Sequence, residues 1–322
     1  MESSPLVEVV ELSLAVKRQG GGCPVVHGVS FSLARGECLA LVGESGSGKT
    51  LTAFSLLGLY PSPDVVQTGG TVRLDGRAHA DRTAEELRRV RGRRVGMVFQ
   101  EPSQALNPVR RVEAHLAEVL AAHDLKPAEG RRERLQQGLV EAGLADPDVV
   151  LRMYPFELSG GMMQRVCIAL ALAADPDVLI ADEPTTALDP GVSARIVEHF
   201  ALLKARRNLG LLYISHDLKQ VAFLADRVGV MYQGRLVELG PARQVLASPS
   251  HPYTRGLLDA LTPDGAGRFR TIPGDGRDRP QAPGACAFLP RCPRADAACG
   301  VRPALEARGE ARVACHHALE VA

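Results

Sequence analysis

Short, largely apolar runs recur along the chain, several of them ending at a glycine or a charged residue. Cys38-Leu39-Ala40-Leu41-Val42 reads as a buried strand, and Leu51-Thr52-Ala53-Phe54-Ser55-Leu56-Leu57, beyond a glycine-rich interruption, reads as a helix. Val178 to Ala181, Gly210 to Ile214 and Val228 to Met231 are similar runs separated by helical stretches, the pattern of a parallel sheet covered on both faces. Residues 6 to 42 alternate apolar runs with turn signals such as Gly20-Gly21-Gly22 and Arg35-Gly36, which predicts a β-rich entry. Val72-Arg73-Leu74-Asp75-Gly76 reads as one more strand ending in a turn. Between Glu113 and Leu144 the period is helical, carried by His115, Leu116, Val119 and Leu120 and then by Leu135, Leu139 and Val140, so residues 101 to 175 read as a helical insertion. From Thr262 to Pro283 the composition turns to Pro, Gly, Asp and Arg, a linker, and a separate cysteine-rich tail is expected beyond it. This divides the chain into a unit over 1–261 and an appendix over 262–322.

Composition adds mainly exclusions. A chain of 322 residues can bury a large core, and 38 Lys plus Arg against 37 Asp plus Glu give a formal charge of +1, so no global field favours nucleic acid or an anionic membrane. The basic run Arg82 to Arg94 is interleaved with Glu85, Glu86 and Leu87 and reads as a solvated helix face. The first five residues lack a basic stretch leading into an apolar core, so no secretory signal and a cytoplasmic chain are expected. Val166 to Ala174, the longest apolar run, is far short of the ~20 residues that span a bilayer. If the chain serves transport, other subunits must cross the membrane.

The glycine-rich interruption is Gly43-Glu44-Ser45-Gly46-Ser47-Gly48-Lys49-Thr50, and it sits between a strand and a helix, the context a phosphate-cradling loop requires. Its glycines let backbone N–H groups turn toward phosphate oxygens, Lys49 can reach the β and γ phosphates, and Thr50 suits a Mg²⁺ shell. Asp182 and Glu183 end the run Val178-Leu179-Ile180-Ala181, so a buried strand delivers two carboxylates to the sheet edge where ligands bind in open α/β folds. Neighbouring strand residues point opposite ways, which suits Asp182 to Mg²⁺ and Glu183 to polarising an attacking water. His216, after Leu211 to Ser215, could bond the γ-phosphate or that water, and Gln100, after Val95 to Phe99, could contact Mg²⁺ or the water. Leu158-Ser159-Gly160-Gly161-Met162 supplies a second glycine-rich phosphate contact, and the two together point to an ATPase working as a head-to-tail dimer.

Taken in order, the loop at 43 to 50, Gln100, Leu158 to Met162, the acidic pair 182 and 183, Ala187-Leu188-Asp189 and His216 resemble the ATP-binding subunits of ABC transporters over about residues 6 to 260. The resemblance implies a P-loop (RecA-like) parallel-sheet α/β core with an antiparallel β subdomain and a helical signature subdomain, extended here by the cysteine-rich tail. It also implies that Ser159, Gly160 and Gly161 of one subunit close on the γ-phosphate held by its partner, with Asp189 in the loop between the sites. Phe99-Gln100-Glu101-Pro102, Leu106-Asn107-Pro108, Tyr154-Pro155, Met162 and His251-Pro252-Tyr253-Thr254-Arg255 resemble the dipeptide, oligopeptide and nickel importer branch. Val26-His27-Gly28-Val29-Ser30 and Tyr154-Pro155-Phe156-Glu157 are similar to nickel-importer subunits, whereas the long tail is more similar to peptide-importer subunits.

Implied partners are a paralogous ATPase subunit, two transmembrane permeases to which the chain would bind peripherally at the cytoplasmic face of the cell membrane, and an extracytoplasmic substrate-binding protein; no nucleic acid is expected. The alternatives are nickel or metal-chelate import, an export ATPase, or a soluble ABC ATPase acting on DNA or ribosomes. One departure stands out: Leu14-Ala15-Val16-Lys17 lacks the aromatic residue that family members often place near position 16 to stack on adenine.

Of seven cysteines, Cys286, Cys292, Cys299 and Cys315 fall in the last 40 residues. A cytoplasmic segment too short for its own core favours a metal or cluster site over disulfides, but the spacing matches neither paired zinc-ribbon ligands nor the three-cysteine run of bacterial ferredoxins. Cys286-Ala287-Phe288-Leu289-Pro290-Arg291-Cys292-Pro293, with Cys299 and Val313-Ala314-Cys315-His316, resembles the C-terminal motif of peptide-importer ATPases, which implies a four-iron, four-sulfur cluster. Zinc, assisted by His316 or His317, and reduced structural thiols are the other readings. Cys23 reads as a loop thiol, Cys38 and Cys167 as small buried apolar residues.

Overall fold

The computed structural model describes residues 5–18, 21–125, 130–261, 268–276, 278–280, 282 and 284–320. The strands are β1 (Val7–Arg18), β2 (Gly21–Leu33), β3 (Cys38–Val42), β4 (Val65–Leu74), β5 (Arg77–Ala78), β6 (Val95–Val98), β7 (Val178–Asp182), β8 (Gly210–Ile214), β9 (Arg227–Tyr232), β10 (Arg235–Pro241), β11 (Glu306–Arg308) and β12 (Ala311–Val313). They form an antiparallel sheet in the order β2-β1-β4-β5 and an eight-stranded sheet in the order β11-β12-β10-β9-β3-β8-β7-β6. Parallel pairing joins β9, β3, β8, β7 and β6, and β10, β12 and β11 continue that sheet antiparallel.

Alternation along the central strands divides the core. Cys38, Ala40 and Val42 of β3, with Leu179, Ala181, Leu211 and Tyr213, face one cluster that continues into the helical segment, while Leu39, Leu41, Val178, Ile180, Leu212 and Ile214 face another that takes in β1, β2 and β4. Both faces of these strands are covered, which is why they read as continuous apolar runs instead of alternating ones. The helices Val112–Ala122, Arg131–Glu141, Pro147–Arg152 and Gly160–Leu172 fill the expected insertion.

Three local expectations need correction. Strand β4 starts at Val65, well before Val72, and its pairing with β1 shifts register across Thr68-Gly69-Gly70, a bulge at which Gly70 has φ +79 and a Cβ would lie 2.3 Å from the carbonyl oxygen of Glu11. Cys23 lies on β2 opposite Val16, not in a loop. The tail does not stand apart. Strand β12 pairs with β10, Ala314 N–H donates to Val237 O at 2.9 Å, Leu319 N–H donates to Ser250 O at 2.8 Å, and Phe288 joins the main core. Too short to bury a core of its own, the tail borrows one.

The basic run does form a helix, Ala84–Arg93, with Glu85, Arg88 and Arg89 exposed and Val90 buried, opened by a Thr83–Glu86 capping box and kinked at Arg91 and Gly92. Of the expected linker, 262–267, 277, 281 and 283 lie outside the described residues, and the remainder forms neither helix nor strand. Among the described residues no helix is long and apolar enough to cross a membrane.

Candidate nucleotide site

Strand β3 runs straight into the glycine loop, and the helix Lys49–Leu56 starts where the loop ends. Left-handed or otherwise positive φ values at Gly43 (+147), Gly46 (+77) and Gly48 (+97) turn the backbone through this bend. At Gly43 a side chain also requires the backbone to shift, since a Cβ would lie 2.1 Å from Met231 O. Lys49 folds back over the loop, donating to Gly43 O at 2.8 Å, Glu44 O at 2.9 Å and Ser47 Oγ at 3.4 Å. Burial lowers its pKa, against the pull of Glu183, Asp182 and Glu44.

Thr50 Oγ1, on the first turn, donates to Asp182 Oδ1 at 3.2 Å. Burial raises the pKa of Asp182, an effect that the Thr50 bond opposes and Glu183 reinforces. Glu183 is not a continuation of the strand: its φ of +45 puts it in a left-handed conformation, so its direction is set by this turn and not by strand alternation. The turn brings one atom, Glu183 Oε2, to the meeting point of three side chains. Thr186 Oγ1 donates to it at 3.0 Å, Gln100 Nε2 donates at 3.4 Å, and His216 Nδ1 lies 3.2 Å away. A cleft of about 590 Å³ runs from Gly43–Leu51 past Gln100, Glu183 and His216 to Leu257 and Leu261.

The remaining expected residues are elsewhere. Ser159 caps the helix Gly160–Leu172 by accepting the Met162 N–H at 3.3 Å, and Asp189 caps Pro190–Arg207 by accepting the Val192 N–H at 2.9 Å. The two caps are neighbours, since a Cβ at Gly160 or Gly161 would meet Leu188 at 3.2 Å or Val192 at 2.7 Å. None of Ser159, Gly160, Gly161 or Asp189 lines the cleft of their own chain. Val25, and not Val16, forms part of the cleft wall on the β2 side.

Cys286, Cys292, Cys299 and Cys315 do share one neighbourhood. The Cys286 N–H donates to Cys299 O at 3.0 Å, and burial, with the other three thiols, pushes the Cys315 thiol up to about 11. Among the described residues, the only compact trio of potential ligand atoms is Asp296, Cys299 and His317, within 4.8 Å of one another. Burial pushes the Cys167 thiol up to about 12 and raises that of Cys38 as well, consistent with inert packing roles.

Contacts that local reading missed surround Glu44. Its N–H donates to Tyr253 Oη at 2.9 Å, and Arg291 of the tail grips its carboxylate with two bonds of 2.9 and 3.0 Å. Tyr253 was visible only as part of a family marker, and Arg291 only as a residue between cysteines.

A loop that can cradle phosphates, an acidic strand end beside it, and a glutamine and histidine aimed at one carboxylate are the parts of a phosphate-transferring ATPase built on a parallel sheet. Comparison with known proteins agrees. The ABC transporter family matches residues 26–186, and the oligopeptide/dipeptide transporter C-terminal region matches residues 237–299. An oligopeptide transport ATP-binding protein, OppD, of Lactococcus lactis subsp. cremoris is 42% identical over 258 residues, 80% of this chain and 76% of that protein. The OppD of Bacillus subtilis is 40% identical over 289 residues, 89% of this chain and 81% of its own length. Among solved structures, the ATP-binding cassette MJ0796, a dimer in a post-hydrolysis state bound to ADP and Pi, superposes with a TM-score of 0.64 at 26% identity, covering 74% of this chain and 99% of that one. CbiO1 of Clostridium perfringens, part of the cbiONQ transporter complex, gives the same TM-score over 76% of this chain and 92% of its own. The chain belongs to the ATP-binding subunits of the ABC transporter family and is an ATPase. Within that family it carries the C-terminal region of the oligopeptide and dipeptide transporters.

Proposed function

We propose that this chain hydrolyses ATP to power peptide import through permease subunits at the cytoplasmic face of a membrane. The observation that carries the catalytic part is the convergence of Gln100, Thr186 and His216 on Glu183 Oε2 beside the phosphate loop. Glu183 draws a proton of the attacking water as that water bonds to the γ-phosphorus and the bond to the β,γ-bridging oxygen breaks. His216 holds the geometry of water and Glu183. Lys49 turns its ammonium from loop carbonyls to phosphate oxygens, and the loop N–H groups take the rest. The hydroxyl of Thr50, the carboxylate of Asp182 and the amide oxygen of Gln100 fit a hard divalent cation and would hold Mg²⁺, which supplies charge neutralisation at the phosphates.

The Ser159–Gly161 helix start and Asp189 are outside their own cleft, which favours their use in trans across a head-to-tail dimer. The dimer mate is a paralogous subunit, and two permeases and an extracytoplasmic binding protein complete the importer. Peptide is favoured over nickel as cargo by the C-terminal region and by the names of the relatives.

A four-iron, four-sulfur cluster held by Cys286, Cys292, Cys299 and Cys315 is the first reading of the tail, four thiols in one neighbourhood. The Asp296, Cys299 and His317 trio favours a second reading, a single zinc ion; iron and zinc analysis of anaerobically purified protein separates the two.

Glu183→Gln tests the catalytic assignment. It is expected to bind ATP, accumulate as a closed dimer and lose turnover, and normal hydrolysis by this variant overturns the role of Glu183.

A further inference from the structure

Glu44 is an odd residue for its place. It adds an anion to a loop whose task is to hold a highly anionic triphosphate, and its carboxylate stands next to the backbone that must approach the phosphates. The structure answers this charge from the far end of the chain. Arg291, 247 residues away and with its side chain only 3% exposed, donates Nη1 and Nη2 to the two Glu44 oxygens in a fork. Arg291 is itself fully held: Nε donates to Pro273 O at 2.7 Å, Nη1 also reaches Tyr232 Oη at 3.3 Å, and the guanidinium lies over the Tyr232 ring at 5.7 Å. The segment before it is shaped for this approach, since any Cβ at Gly276 would begin 2.2 Å from Glu44 Oε2. On the other side Tyr253 Oη accepts the Glu44 N–H, and the Glu44 carbonyl accepts from Lys49 Nζ. Glu44 is therefore gripped at its N–H, its carbonyl and its carboxylate, two of the three by elements from beyond residue 250.

We propose that Arg291 is a positioning residue for the phosphate loop: delivered by the docked C-terminal tail, it fixes and neutralises Glu44, so that ATP affinity depends on the tail. The inference rests on the reading that residues 43–50 hold the triphosphate. It assigns the tail a direct influence on the nucleotide site, whatever group its thiols bind. Without Arg291 the Glu44 carboxylate faces the phosphates unbalanced, and the loop loses its outer restraint.

The test is equilibrium binding of a non-hydrolysable ATP analogue with Mg²⁺ to the full-length chain. Arg291→Met is expected to weaken binding about tenfold. In the assembled transporter it should raise KM for ATP by a similar factor and change kcat much less. Adding Glu44→Gln to Arg291→Met should restore most of the lost affinity, because the uncompensated charge is then gone; a merely structural staple would give no such rescue. Wild-type affinity in Arg291→Met, or a double variant no better than the single, overturns the proposal. Should Arg291→Met not fold, the wild-type chain serves. Linkage is reciprocal, so saturating analogue must slow amide exchange across residues 286–294, and unchanged exchange overturns the proposal. Lys49→Ala in the same assay separates the two levels of argument. Loss of binding there with none in Arg291→Met leaves the loop assignment standing and removes only the role of Arg291.

Discussion

Phe288 is the anchor of the tail, and Phe288→Ala measures how firmly the tail is docked. The ring is 2% exposed and packs among Tyr232, Tyr253 and His251, with centroid distances of 5.3, 5.4 and 5.9 Å. Truncating a buried phenylalanine costs about 3–5 kcal/mol. The rest of the docking includes two register pairs between β10 and β12, the bonds from Ala314 and Leu319, those of Gln233 Nε2 to Gly276 O and Asp278 O, the Arg243–Glu310 ion pair and the Arg291 fork. The loss falls on the face by which the tail docks, so it appears as local opening of the tail. At 1.36 kcal/mol per decade, the population of the opened tail rises about 150- to 5,000-fold. Hydrogen exchange read by mass spectrometry resolves this by segment. Exchange should accelerate over residues 306–320 and the helix Pro252–Asp259, while β3 and β7 keep their protection. Acceleration spread evenly through β3, β7 and the tail would refute the reasoning, because Phe288 would then be an ordinary core residue. Unchanged exchange throughout would refute it as well.

Two further outcomes are expected. His251 is buried and held neutral, its pKa lowered by desolvation from the ordinary 6.5 to about 3, and its Nδ1 accepts the Tyr253 N–H at 3.0 Å. Between pH 6.5 and 3 the unfolded chain binds a proton there that the folded chain refuses, so this residue's stabilisation is lost as pH falls. His251→Asn keeps an N-cap acceptor that does not titrate, and Glu238, whose carboxylate takes the Ser250 and His251 N–H groups, is common to both proteins. From pH 7 to pH 5 the wild type should therefore lose about 2 kcal/mol more stability in urea titrations than the variant, and equal losses would contradict the assignment. Gly43→Ala introduces a Cβ 2.1 Å from Met231 O at φ +147. Backbone strain of about 1–3 kcal/mol should weaken ATP-analogue binding roughly ten- to a hundredfold with little change in circular dichroism, and wild-type binding would show that the loop relaxes.

What could be read from the sequence was what depends on neighbouring residues. The parallel strands announced themselves because burial on both faces makes their apolar runs unbroken, and the phosphate loop because its glycines and lysine act within eight positions. Gln100, Asp182, Glu183 and His216 each follow an apolar strand, so a single topological rule, ligands at the carboxyl ends of parallel strands, brings them together. The misses are contacts that neighbours cannot encode. Glu183 owes its aim to a left-handed turn, although strand alternation suggested a simpler reason. Strand β4 begins at Val65, well before the run Val72 to Leu74 that marked it, and crosses a Gly-Gly bulge on the way. The tail was read as separate because the Pro-, Gly-, Asp- and Arg-rich stretch before it marks a linker, whereas Phe288 is buried against side chains from β9 and from the helix Pro252–Asp259.

Conserving the phosphate chemistry while changing its control requires a handle on the loop that leaves Lys49, Thr50, Asp182 and Glu183 in place. Under the proposal above, Glu44 is such a handle. It belongs to the loop but bears none of the reacting groups, and its N–H, carbonyl and carboxylate lead to Tyr253, Lys49 and Arg291 respectively. Tyr253 and Arg291 are in turn joined through the cluster of Tyr232 and Phe288, with Tyr232 and Tyr253 centroids 4.6 Å apart. A shift in the tail that moves Phe288 must therefore disturb both outer restraints on Glu44 together, which predicts that Phe288→Ala weakens ATP binding no less than Arg291→Met does. If the Phe288 variant opened the tail yet bound ATP normally, Tyr253 and Arg291 would be bystanders of the loop and the handle would have to be sought elsewhere.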